Sequence, residues 1–146
     1  MNYYSPQPMT FKFNHNKPSD TDFIGYDVPE KNYTLFRDLG IKDATNGKFI
    51  AVITKANLPP APCNDWHYHK VDFHILYMLK GWAKFMYNDK ITLVETGDCI
   101  VQPDGMVHVL FDYSPDMEYL EVISPSDPGH YEVAEPCEVP KPIGWD

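Results

Sequence analysis

Turn signals interrupt the chain at intervals of about 8–12 residues between residues 49 and 124, and this cadence restricts its fold more than any other feature. Phe49–Ala56 is apolar and β-branched, and it follows the turn Thr45-Asn46-Gly47. Leu58-Pro59-Pro60-Ala61-Pro62 must be irregular, because proline has no N–H to give a ladder. Trp66–His69, Phe73–Lys80, Trp82–Tyr87, Lys90–Val94, Cys99–Gln102, Met106–Tyr113 and Met117–Ser124 then read as strands. Gly81, Asn88-Asp89, Thr96-Gly97-Asp98, Pro103-Asp104-Gly105 and Ser114-Pro115-Asp116 separate them, all residues that accept the dihedrals of tight turns. Tyr33–Arg37 makes a short first strand, and no stretch carries a capped 3.6-residue periodicity. The fold class is all-β, a sandwich or a barrel.

Three segments follow. Residues 1–32 are polar with scattered aromatics, and read as an extended arm wrapped on a neighbouring surface. Residues 33–124 form the barrel. Residues 125–146 contain Pro125, Pro128, Pro136, Pro140 and Pro142, a tail that should not pair inside a sheet.

Charge narrows the partners. A net charge of −9 leaves no basic face for nucleic acid or an anionic membrane, and no apolar run reaches the roughly 18 residues of a membrane span. Arg37 is the sole arginine, so the bidentate clamps that hold phosphate are missing. Cys63, Cys99 and Cys137 are odd in number and share no C-x-x-C spacing, which fits a reducing, cytoplasmic setting. Cys99 is expected to be buried and inert, and Cys63 lies close to a histidine pair.

That pair is His67-Tyr68-His69. On a strand, residues i and i+2 point to one face, so both imidazoles should converge. His74 follows on the next strand and His108 on a later one. Imidazole is the commonest transition-metal ligand, and a fold gathers such ligands from distant segments. His15 and His130 sit in polar termini and read as solvated. Tyr77 and Asp112 are weak candidates for a general acid or base, with nothing in the sequence to single either out.

In this arrangement the chain resembles the cupins, double-stranded β-helix (jelly-roll) proteins. Their first motif, H-x-H, three or four residues, Glu, six residues, Gly, is matched by His67, His69, His74 in the Glu place, and Gly81. The second is matched by Gly97, Pro103, Gly105 and His108. The resemblance spans about residues 49–124. Ala61 stands for the glycine that opens the first motif and Asp112 for the asparagine that closes the second.

The resemblance implies a metal held by His67, His69, His74 and His108. With His74 where the carboxylate stands in many cupins, four neutral imidazoles would leave a divalent ion its full charge as a Lewis acid. That favours zinc and non-redox chemistry, with iron, nickel, manganese and copper as the other ions this donor set takes. A four-histidine polyketide cyclase type is similar in this respect; related three-histidine cupins are uronate-processing enzymes or dioxygenases. The function expected is a lyase, isomerase or cyclase acting on a small oxygenated organic molecule, with an iron or copper dioxygenase and a non-catalytic binding module as alternatives. A homodimer is expected as well, because cupins pair through sheet faces and terminal segments, and Phe11, Phe13, Tyr131 and Trp145 have no evident core of their own.

Overall fold

The computed structural model describes residues 10–145, so residues 1–9 of the arm and Asp146 lie outside the described residues. The turn cadence produces strands Thr34–Asp38 (β1), Ile50–Ala56 (β2), His67–Tyr68 (β3), Phe73–Lys80 (β4), Trp82–Tyr87 (β5), Lys90–Glu95 (β6), Cys99–Val101 (β7), His108–Tyr113 (β8), Glu118–Ser124 (β9) and Tyr131–Glu132 (β10). They form two five-stranded sheets, β1-β2-β9-β4-β7 and β10-β3-β8-β5-β6. Every named pairing is antiparallel. Hairpin β5–β6 lies in one sheet while β4 and β9 pair in the other, so the chain alternates between sheets. This is a double-stranded β-helix. A short helical turn, Ile41–Ala44, precedes the expected turn at Asn46 and Gly47, both of which have positive φ.

Alternation along each strand builds the core between the sheets. Leu76 and Met78 of β4, Ala83, Phe85 and Tyr87 of β5, Val94 of β6, Tyr113 of β8 and Tyr119 of β9 bury their side chains together. The opposite face of the second sheet makes a smaller cluster of Trp66, Met86, Val109 and Phe111, covered by Val133, Cys137 and Val139 of the tail.

The tail therefore behaves differently from expectation. Tyr131 and Glu132 pair with Tyr68 and His67, adding an edge strand in a stretch free of proline. Edge pairing is compatible with prolines nearby because only a central strand needs N–H groups on both sides. Tyr131 stacks on Tyr68 at 5.1 Å, and the Trp145 indole N–H donates to the Tyr113 carbonyl at 2.9 Å. Both aromatics thus find a place within their own chain, while Phe13 is 90% exposed. The arm is tied down too: Ile24 bridges Phe36, and Arg37 donates to Asn16 at 2.6 Å and Thr21 at 3.2 Å. The lone arginine is spent on the arm.

Cys99 is exposed, not buried. It sits on a three-residue edge strand where Ile100 takes the inward position and Cys99 and Val101 face out.

Gly81 sits between β4 and β5 at φ +68°, and an added Cβ would lie 2.2 Å from Ser114 Oγ and 3.0 Å from the Met117 backbone nitrogen. Gly81→Ala should lower stability by at least about 1–2 kcal/mol from the left-handed conformation alone. An unchanged thermal midpoint would contradict that reading of the bend.

Candidate metal centre

Sheet register brings the histidines together. His67 on β3 is directly opposite His108 on β8, and Tyr87 on β5 flanks His108 from the other side. His69, just past the end of β3, has its ring 4.9 Å from that of His67 and 5.1 Å from that of His108. One nitrogen from each of His67, His69 and His108 lies within 4.8 Å of the others. Three of the four expected ligands converge.

The backbone fixes which nitrogens are free. His67 Nδ1 lies 2.7 Å from the Asp65 carbonyl oxygen, His69 Nδ1 2.5 Å from that of Gly129, and His108 Nδ1 2.9 Å from that of Met106. A carbonyl oxygen only accepts, so each Nδ1 carries the proton and each Nε2 keeps its lone pair. Burial pushes the pKa of all three rings down, that of His108 to about 3, so they stay neutral near pH 7. Three neutral imidazoles with oriented lone pairs are a fitting donor set for a divalent transition metal.

His74 stands apart from this trio. It is 1% exposed on the inner face of β4, with its ring 5.9 Å from that of His69. Its Nε2 lies 2.5 Å from Glu121 Oε2 on the adjacent strand β9. Its Nδ1 is 3.5 Å from the Gln102 amide nitrogen, which is also 3.2 Å from His108 Nε2. The Gln102 amide thus sits between the two histidines at the centre of the site.

Several of these residues were not singled out from sequence. Glu121 had a signal: Tyr119, Glu121 and Ile123 alternate onto one face of β9, placing a carboxylate among inward apolar residues. Tyr87 had none, yet its ring lies 5.9 Å from that of His108 and its buried hydroxyl has no hydrogen-bond partner among the described residues. Burial pushes that hydroxyl well above the usual tyrosine range, so it stays protonated. His130, expected to be solvated, is half-exposed but engaged: it stacks on His67 at 4.0 Å and its Nε2 lies 3.1 Å from Asp65 Oδ1. His15 is exposed.

The structure places Tyr77 and Asp112 away from the trio. Tyr77 is 40% exposed on the face of β4 opposite His74. The register shift between β5 and β8 turns Asp112 outward, where its carboxylate accepts from the Tyr113 and Ile143 backbone N–H groups. Asp112 anchors the tail, one carboxylate oxygen bonded to each of these two backbone groups.

A cavity of about 1090 Å³ opens beside His67. Tyr26, Tyr33, Phe36, Trp66, Tyr113 and Tyr119 supply its rings, and His130 lies at its wall. Of the aromatics in the strands near the histidine motif, Trp66 and Phe111 line this space, whereas Phe73 and Tyr77 face outward.

Residues 61–117, which contain His67, His69, His74 and His108, match the family described as AraC-like ligand binding domain. No curated protein matches the sequence. Among solved structures, the polyketide cyclase RemF from Streptomyces resistomycificus superposes with a TM-score of 0.67 at 19% identity, covering 85% of this chain and 89% of that one. A Streptomyces nucleoside dehydratase gives 0.58 at 13% identity over 85% and 96% of the two chains. A predicted oxalate decarboxylase from Thermotoga maritima gives 0.58 at 25% identity over 75% and 97%. These likenesses establish the fold.

Proposed function

Because this chain is a cupin-fold protein, a double-stranded β-helix, we propose that it holds a divalent metal on His67, His69 and His108 and acts on a small oxygenated organic molecule in the adjoining cavity. The reaction proposed is a non-redox elimination, isomerisation or cyclisation. One observation carries this reading: three imidazoles, that of His108 buried and those of His67 and His69 partly so, each donate Nδ1–H to a backbone carbonyl, which leaves each Nε2 lone pair free, and one ring nitrogen of each lies within 4.8 Å of the others. His74 is the proposed fourth donor, through Nδ1, with zinc as the preferred ion.

When bound, such an ion supplies Lewis-acid polarisation of a carbonyl or enolate oxygen. The chain's own residues do the rest. Tyr26, Tyr33, Phe36 and Tyr119 offer faces for a ring. Tyr87 holds a proton beside His108 and can give a hydrogen bond to charge developing there. Among the described residues Lys31 is the single Lys or Arg side chain on the cavity wall, which disfavours multiply phosphorylated substrates.

The family match to a ligand binding domain favours one further reading, capture of the same kind of molecule without turnover. Metal analysis of protein purified without an affinity tag, followed by screening of uronates, diketones, flavonoids and polyketide-like phenols with oxygen uptake recorded, separates the readings. Zinc and turnover without oxygen are expected. Iron with oxygen-dependent turnover would replace this proposal by a dioxygenase, and tight binding without turnover by the binding module. A homodimer is also proposed, with Phe73, Tyr77 and Val101 on an open outer sheet face as its contact. Monomer mass by light scattering would rule it out.

A further inference from the structure

We propose that Glu121 is a positioning residue that locks His74 in the tautomer opposite to that of the other site histidines, and so returns to the site, from β9, the carboxylate missing at position 74. The inference rests on the proposed metal site and names how its fourth side of the donor set is oriented.

The geometry comes from strand pairing. Leu76 is directly opposite Glu121, so His74, two residues earlier on the same face of β4, is its diagonal neighbour. Their side chains meet inside the barrel, with His74 at 1% and Glu121 at 19% side-chain exposure. A carboxylate accepts, so His74 Nε2 carries the proton and Nδ1 keeps the lone pair. The Gln102 amide nitrogen lies 3.5 Å from Nδ1 on the other side, a placement that fits a lone pair there. The hydrogen bonds run Gln102 to His74 to Glu121.

In His67, His69 and His108 the backbone selects Nε2 as the free nitrogen, since each Nδ1 faces a carbonyl. No such backbone carbonyl is paired with His74 Nδ1 among the described residues. A carboxylate on the neighbouring strand does the selecting instead, and it selects Nδ1. That is the second half of a carboxylate–histidine–metal arrangement, in which the outer carboxylate fixes the ring and raises the basicity of the free nitrogen. The charge consequence is specific. Four neutral imidazoles would leave a divalent ion uncompensated, whereas Glu121 places one negative charge a single imidazole away from it.

Nitrogen-15 NMR of the metal-free protein reads the tautomer directly. Wild type should show His74 protonated on Nε2, with a far-downfield ring N–H, while His67, His69 and His108 are protonated on Nδ1. Glu121→Gln keeps an accepting oxygen, so the tautomer should persist while the N–H resonance moves upfield. Glu121→Ala should release the tautomer and weaken zinc binding about 10–100-fold, with Glu121→Gln losing less. His74 protonated on Nδ1 in wild type, or an N–H resonance unmoved in Glu121→Gln, would overturn the proposal even if Glu121→Ala fails to fold. If wild type binds no metal, the metal reading fails, and the tautomer comparison in the metal-free proteins still decides the role of Glu121.

Discussion

Replacing His108 with alanine is expected to reduce zinc affinity by more than about 100-fold, the upper range for losing an outer partner, because here a direct donor is removed. His108 is the central member of the trio: it is opposite His67 in the sheet, it is 5% exposed, and its Nδ1 is tied to the Met106 carbonyl. Neither Gln102, which offers an amide, nor Tyr87, with its protonated hydroxyl, supplies an equivalent donor. His67→Ala and His69→Ala should fall in the same range. His74→Ala should cost less, because its nitrogens lie outside the trio. Competition with a chromogenic zinc chelator measures all four. Equal affinities for wild type and His108→Ala would remove the metal site as proposed.

Much of this arrangement could be read from the chain before any coordinates. Turn residues placed β4, β5 and the hairpin at Asn88 because each needs a local φ/ψ that few residues supply. The i, i+2 spacing put His67 and His69 together for the same local reason. What could not be read depended on register between strands far apart in sequence. His74 meets Glu121 only because β4 pairs with β9, and no local pattern specifies that pairing. Likewise, Asp112 is a weak acid or base candidate by sequence, and the register shift in β5–β8 turns it out to the tail. Tyr131 and Glu132 were hidden by the surrounding prolines, which forbid a central strand but leave room for an edge.

The same imidazoles should make the metal-free protein sensitive to mild acid. His108 has its pKa pushed down from 6.5 to about 3 by burial first, then by the neighbouring His67. His67 and His69 are also shifted down, again by burial. A depressed histidine binds its proton in the unfolded chain before it does so in the folded one. Stability is therefore complete above pH 6.5 and is lost as pH falls below it, with the loss levelling off only near the folded pKa. Each pH unit in that window costs up to about 1.4 kcal/mol from His108 alone. Against a domain stability of about 5–15 kcal/mol, the fall between pH 6.5 and 4.5 is large. Urea melts of metal-free protein at pH 7.5, 6.5, 5.5 and 4.5 should show a flat first step and then steady loss. His108→Leu, which fills the same inward position with an apolar side chain, should flatten the slope by about one proton. Equal slopes for wild type and His108→Leu would mean that His108 takes up its proton at the same pH in the folded and unfolded chain, and that burial does not hold its ring neutral in mild acid.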